Sequence, residues 1–416
     1  VGSEMCIRDS QNGSHVDTTS RSDSMVEVDH LVLSSPKNLS WGWFPIEKEP
    51  VVTVLPGQTV EVQTLTGLGI YQDFHPVEEL RYMGVPESEV LPDLVEFWET
   101  RKLRPREGRA GHLVTGPIYI EGAEPGDMLE VQILDVRPRV PWGFNSARAY
   151  SGVMSKTYPG YREGDQGLDI PPETDDVPPE EWRIIRTERS GNDLVGVYPS
   201  GIRVPLAPFM GIMAVAPIPV TGQPGVRIEG VQSSGPPGAF GGNLDVKHLT
   251  AGSKLFLPVF HSGARFYVGD PHAAQGDGEV SGKAIEQSMV GVFRFVLHKN
   301  RLIEGPRAET ADHHLIMGID FDLDRALRKA TENVVEFLVE RYRIRPSEAF
   351  SIASVAVDFT ISEAVDGTQV VTGLVPKSIF RQKAGETTAS ALLLITSATI
   401  CQDYGSITIT FGNYNK

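Results

Sequence analysis

The sequence predicts a mainly β protein, a sandwich or barrel, with a C-terminal α+β portion. Three observations predict it. Short apolar runs alternate at period two on either side of Pro-Gly turns. Only one long stretch, near the C-terminal end, has helical periodicity. Glycine and proline, 42 and 30 of the 416 residues, make up about 17% where ~12% is usual, which favours a turn-rich chain over a helical bundle.

In chain order, residues 1–24 are polar and aperiodic and are expected to be a disordered tail. The run Glu4-Met-Cys-Ile-Arg-Asp-Ser10 resembles translated adapter DNA, which makes Met25 the expected start. Residues 25–137 form the N-terminal part of the β structure. There Val51-Val-Thr-Val-Leu55 and Thr59-Val-Glu-Val-Gln63 flank Pro56-Gly57. The same plan returns where Ile118-Tyr-Ile120 and Met128-Leu-Glu-Val-Gln-Ile-Leu134 flank Pro125-Gly126. Between these two units, 86–102 reads as helix interrupted at Pro92.

Residues 138–190 read as a Pro/Gly-rich surface excursion. Residues 191–320 are a second β-rich part that carries the main site motifs. Residues 321–380 make the C-terminal α+β portion. Its helix spans Asp322–Arg341, with Leu323, Leu327, Ala330, Val334, Phe337 and Leu338 on one face and Asp320 or Asp322 as cap. Strand alternation returns over Ser351–Leu374, and 381–416 is an uncertain tail.

Charge narrows the partners. Asp and Glu number 54 against 38 Lys and Arg, a net charge of −16, so neither nucleic acid nor an anionic membrane is an expected partner. The most apolar run, Ala391–Ile395, is far shorter than the ~20 residues of a membrane helix. No secretory signal opens the chain, and the two cysteines, Cys6 and Cys401, lie at opposite ends. That pattern fits a reducing, cytoplasmic setting and excludes a disulfide framework or a four-cysteine zinc site.

Three motifs carry the candidate chemistry. The densest is Gly269-Asp-Pro-His-Ala-Ala-Gln-Gly-Asp-Gly-Glu279. In extended backbone Asp270 and His272 share a side, as do Asp277 and Glu279. Mixed carboxylate and imidazole ligands suit zinc or another divalent ion, which can lower the pKa of bound water to about 7. The same residues also fit an acidic loop whose side chains cap turns. The second motif, Gly235–Asp245, offers Asn243 as hydrogen-bond donor and acceptor and Asp245 as ligand or base. A glycine-rich turn leading toward Lys254–Val259 would look the same. In the third, Gly111–Pro117, His112 at the mouth of a strand is a candidate ligand or general base, though a lone histidine is more often structural. With no thiol between residues 25 and 380 and no Gly-x-Ser-x-Gly elbow, metal-activated water or carboxylate chemistry remains.

At these motifs the chain resembles the acetamidase/formamidase family. The matching text is His112–Asp127, Gly241-Gly-Asn-Leu-Asp245 with Leu249-Thr-Ala-Gly252, Val268-Gly-Asp270, His272–Glu279 and Ala284-Ile-Glu286, within about 38–380. The resemblance implies a jelly-roll-like β-sandwich, a homo-oligomer, and hydrolysis of a small amide such as formamide or acetamide. It also favours a divalent metal, zinc first with calcium or magnesium as alternatives, on Asp270, His272 and Glu279 with Asp245. His112 and Asp277 are then the expected proton shuttles, and Asn243 and Gln275 the groups that orient substrate. The alternatives are a hydrolase of another small C–N substrate, or a non-catalytic, metal-stabilised sandwich that binds a small ligand. The Pro/Glu-rich 171–182 and Val259–Ser262 depart from the family's pattern, which bears on substrate size.

Overall fold

The turns at Pro56-Gly57 and Pro125-Gly126 each take the chain from one sheet to the other. Val52–Val54 pairs with Leu113–Ile120, yet Thr59–Gln63, just past Pro56-Gly57, pairs with Met289–His298 in a different sheet. Likewise Leu113–Ile120 and Met128–Pro138, joined through Pro125-Gly126, belong to opposite sheets. These units are arches between sheets, and the strands on either side of each turn do not pair with each other. The computed structural model describes residues 27–67, 75–101, 111–147, 151–165, 182–191, 193–218 and 231–380. Both cysteines, the tail 1–24, the segment 381–416 and most of 171–182 lie outside them.

Two large sheets result. The nine-stranded sheet runs His30–Val32, Thr59–Gln63, Met289–His298, Met128–Pro138, Lys254–Pro258, Arg307–Glu309, His313–Asp320, Gln369–Pro376, Asp358–Glu363. The eleven-stranded sheet runs Arg203–Pro205, Asp193–Val197, Trp182–Ser190, Trp142–Ser146, Ile285–Glu286, Phe266–Ala274, Phe209–Ala214, Gly241–Asn243. Leu113–Ile120 joins it beside Phe266–Ala274 and carries Leu39–Trp41 and Val52–Val54. Period-two alternation gives each strand one apolar face, and the apolar faces of both sheets meet in one core. Val60, Val62, Val131 and Leu257 come from one sheet, and Ile118, Ile212 and Val268 from the other. Phe266 spans the interior, with ring centroids 5.9 Å from Phe293 and 5.1 Å from Phe295. Each such buried ring stabilises the fold by about 1.5–3 kcal/mol. The chain is thus mainly β, with its longest helix near the C-terminal end of the described residues.

The helices differ in detail from the sequence reading. Pro92 starts a helix, Pro92–Thr100, because its missing N–H costs nothing in the first turn. Leu80, Leu94 and Phe97 of the two early helices, Pro76–Tyr82 and Pro92–Thr100, pack with Trp142 and Phe144 as a second, smaller core. The long helix spans Leu323–Tyr342, capped by Asp322, whose side chain accepts from the Arg325 N–H at 2.9 Å. Its buried face is Ala326, Ala330, Val334 and Leu338, and Leu327 is exposed. Small residues are needed because the helix lies very close to the sheet: a Cβ on Gly318 would sit within 2.3 Å of the Ala326 carbonyl oxygen. A second helix, Pro346–Ala356, precedes the strand Asp358–Glu363, where alternation alone reads as strand from Ser351. Among the described residues no helix is long and apolar enough to cross a membrane.

Candidate metal centre and its cavity

The strand Phe266–Ala274 changes neighbours in its middle, and the site forms there. Residues 266–269 pair on one side with Leu113–Ile120, and His272 and Ala274 pair with Ile285–Glu286. Between them, Asp270 takes a left-handed backbone with φ 51°, a conformation that side chains other than glycine seldom adopt. Asp245 (φ 48°) and Glu279 (φ 44°) do the same. Three acidic residues held in this way at one spot mark a functional centre by the usual association of strain with function.

The sequence motifs converge. Asp245, Asp270, His272 and Glu279 lie together in overlapping groups: Asp245 and Asp270 meet His272, Glu279 and Glu286 meet it as well, and Glu363 and Asp366 join Asp245 and Glu279. Glu286 is the last residue of the resemblance text, whereas Glu363 ends the strand at the far edge of the nine-stranded sheet and Asp366 lies three residues beyond it, where no local motif marks them. The His272 Nε2 is 3.2 Å from Asp270 Oδ2 and 3.4 Å from Glu286 Oε2, but the angles make neither a hydrogen bond. Phe209 closes one side with its ring edge-on to the imidazole at 5.2 Å.

Gln275 fixes the imidazole. Its Nε2 donates to the Asp245 carbonyl at 2.8 Å and to the Ser362 carbonyl at 3.3 Å, so its Oε1 must be the atom 3.0 Å from His272 Nδ1. Nδ1 therefore carries a hydrogen, and Nε2 faces the carboxylates, where it can hold a proton or a cation. Asn243 donates to Asp366. Gly211 forms the floor, since a Cβ there would lie 2.4 Å from Asp245 Oδ1 and 2.8 Å from Asp270 Oδ2.

Electrostatics give the same picture. Burial, and then the charge of Glu279, pushes Asp245 well above the usual carboxylate range. Burial does the same to Glu279 and, with Asp366 beside it, to Glu363. Burial also pushes Asp270 up, but the charges of His272 and His112 outweigh it and hold Asp270 below the usual range. On His272 burial acts downward and is overcome by Asp270 and Glu286, which raise it well above the ordinary imidazole value. Among the described residues no hydrogen bond reaches either oxygen of Asp245, the Nε2 of His272 or the Oε2 of Glu363. Buried polar atoms are seldom left so, and a cluster this acidic needs positive charge. The residues fit a divalent cation.

Two other sequence candidates stand apart from the cluster. Asp277 is one-third exposed and pairs with Lys247 at 2.7 Å. His112 donates or accepts at Ser234 Oγ, 3.1 Å from its Nδ1. With Asp270, Lys283 and Glu286 it lines a small cavity beside the cluster.

The acetamidase/formamidase family model matches residues 103–221 and 225–382. The chain belongs to the acetamidase/formamidase family. A formamidase-like protein of Schizosaccharomyces pombe is 35% identical over 201 residues, 41% of this chain and 47% of that protein. The formamidase of Methylophilus methylotrophus is 29% identical over 304 residues, 61% of this chain and 73% of that protein. The chain thus spans about half the length of the yeast relative it matches, 47%. Among solved structures, the acetamidase of Bacillus halodurans superposes with a TM-score of 0.62 at 25% identity, covering 84% of this chain and 98% of that one. All the motif residues named above fall within the matched family regions.

Proposed function

We propose that the chain hydrolyses short aliphatic amides of the formamide and acetamide kind to carboxylate and ammonia. The observation that carries this reading is the acidic cradle around His272, with unbonded polar atoms beside a small cavity, in a member of this family. Relatives named formamidase and acetamidase support it. Asp270, His272 and Glu279, with Asp245, would hold a divalent cation, which supplies Lewis-acid polarisation of the amide carbonyl and a water of lowered pKa. The imidazole nitrogen favours zinc; the surrounding carboxylate oxygens would also suit calcium or magnesium.

The chain's own residues then divide the work. Gln275 keeps the Nδ1 hydrogen in place and so keeps Nε2 turned toward the cradle. Asn243 holds the Asp366 carboxylate. The leaving nitrogen must be protonated, because an amide anion is too basic to depart. His112 lies on the cavity for that transfer, whereas Lys247 holds Asp277 toward solvent. A homo-oligomer belongs to the same reading by the family resemblance, and light scattering checks it; a cytoplasmic setting belongs to it by the cysteine usage.

The test is ammonia release from formamide, acetamide, propionamide and urea, with and without a chelator, for the wild type and His272→Ala. Release from the small amides, lost with chelator and lost in a folded His272→Ala protein, is expected. Full activity in that variant would sink the metal reading. A chelator that lowers thermal stability while no amide yields ammonia would leave a binding protein.

A further inference from the structure

In a chain of net charge −16, one cavity is lined mainly by cations. It holds about 360 Å³, within the ~300–1,000 Å³ usual for small-molecule sites, and none of the cradle residues lines it. It lies on the face of the nine-stranded sheet turned away from the main core, beside the last turns of the long helix. Alternation puts it there: Leu255, Leu257 and Leu315 belong to the main core, whereas Phe256 and Ile316 line the cavity. Ile316 clusters instead with Val334 and Leu338 of the helix.

The lining is of two kinds. Met128, Ile303 and Ile316 are apolar and buried. Arg301, Arg307, Arg341 and Arg343 supply four permanent positive charges. Two carboxylates line the cavity as well, and each already has a cation: Glu309 pairs with Lys377 at 2.6 Å and Glu340 with Arg307 at 3.2 Å. Arg301, Arg341 and Arg343 make no ion pair among the described residues. Basic residues at the end of a helix complement its dipole, which accounts for Arg341 and Arg343 only. Arg301 follows the strand Met289–His298, and Arg307 opens the strand Arg307–Glu309 with its Cζ 5.8 Å from the centroid of the Phe337 ring. Like charges brought from three elements to one concavity repel each other unless an anion enters between them.

We infer that this cavity binds a small organic anion, a phosphate or carboxylate head on an apolar body, at a site separate from the acidic cradle. A guanidinium is a planar fork that takes either head with two parallel hydrogen bonds. Arg301, Arg341 and Arg343 are the groups without a carboxylate of their own, so the head belongs with them. The apolar body belongs against Ile303 and Ile316, and burying it there is what separates such a ligand from a bare inorganic anion. The inference stands apart from amide hydrolysis, since neither site contributes a residue to the other.

Titration calorimetry on the full chain tests this with phenyl phosphate, phenylacetate, inorganic phosphate and benzyl alcohol. The proteins are the wild type, His272→Ala and the double variant Arg301→Gln, Arg341→Gln, with near-UV circular dichroism as the fold control. Arg343 is left in place because its left-handed backbone, φ 56°, closes the long helix. One of the two aryl anions is expected to bind the wild type at least ~10-fold tighter than inorganic phosphate or benzyl alcohol, and the tighter one names the head. The double variant is expected to lose at least ~10-fold in that affinity. His272→Ala should keep it, whereas an anion held by a cation in the cradle would be lost there. A folded double variant with wild-type affinity would overturn the inference, as would binding that disappears in His272→Ala. So would an absence of saturable binding of both aryl anions at millimolar concentration. A double variant that changes its subunit count, with no anion bound by the wild type, would make the cavity a contact between copies and overturn it too.

Discussion

Buried carboxylates occur in two kinds of place in this molecule, and only one kind is satisfied. Asp127, at the Pro125-Gly126 arch, accepts from Lys299 Nζ at 2.6 Å and from the backbone N–H groups of Asn300 and Glu124, each at 2.8 Å. Asp320, before the long helix, pairs with Lys329 at 2.8 Å and Arg325 at 3.4 Å. Asp245 is buried as deeply, yet no hydrogen bond among the described residues reaches its carboxylate oxygens. The first two are structural: each partner is supplied from the chain itself. At the third the chain supplies more negative charge and a floor of bare glycine. Complete pairing marks a carboxylate that holds the fold together; an incomplete set of this size marks one kept for something the chain does not encode.

The sharpest way to break this contrast is to neutralise one residue of each kind. Asp245→Asn should abolish ammonia release while leaving the thermal midpoint of the metal-free protein unchanged or higher, because it removes a strained, uncompensated charge. Asp127→Ala should retain activity and lose about 1–3 kcal/mol of stability, the usual cost of orphaning buried donors. Equal effects on activity and midpoint from both variants would erase the distinction.

Gly211→Ala should be nearly as harmful to the cradle as Asp245→Asn, for a different reason. Its methyl would lie 2.4 Å from Asp245 Oδ1. In the wild type, a divalent cation at ~100 times its dissociation constant adds about 2.7 kcal/mol of stability; the alanine variant should show little of that gain in a thermal melt. A full gain would mean that the cation binds elsewhere.

The smallest expected effect concerns pH, and the two kinds of carboxylate carry opposite signs. Asp127 and Asp320 are each pushed up by burial but held below the usual value by their lysines and backbone donors. Their contribution is therefore complete above the ordinary carboxylate pKa of ~4 and is lost as pH falls through the lowered folded values. Asp245 and Glu279 are raised, so in chelator-stripped protein their contribution is complete below ~4 and is lost as pH rises through the raised values. Midpoints measured from pH 3 to 8 should therefore be flatter at neutral pH once a divalent cation is restored. Identical profiles with and without the cation would count against a cation at this cluster.

Much of this was legible in the sequence, for local reasons. Period-two runs and Pro-Gly turns announce strands, and spacing brings Asp270, His272 and Glu279 into one motif. Alternation gives a strand's face but not its partner, so the turns at Pro56 and Pro125 do not show that they join opposite sheets. Glu363 and Asp366 arrive from the far edge of the nine-stranded sheet, with no signal near them. The helix Pro346–Ala356 did carry a signal, Pro346 in its first turn followed by Glu348, but its Ala and Ser residues form too weak a stripe to outvote alternation.

The arches have a consequence for assembly. Sequence neighbours such as Leu113–Ile120 and Met128–Pro138 complete different sheets, while hydrogen-bonded neighbours such as Met128–Pro138 and Met289–His298 lie far apart in the chain. Neither sheet can therefore be finished from one contiguous length of polypeptide. Contact order is high, early fragments expose raw strand edges, and the two sheets stand or fall as one cooperative unit. The cradle, whose residues come from both, exists only when that unit is closed.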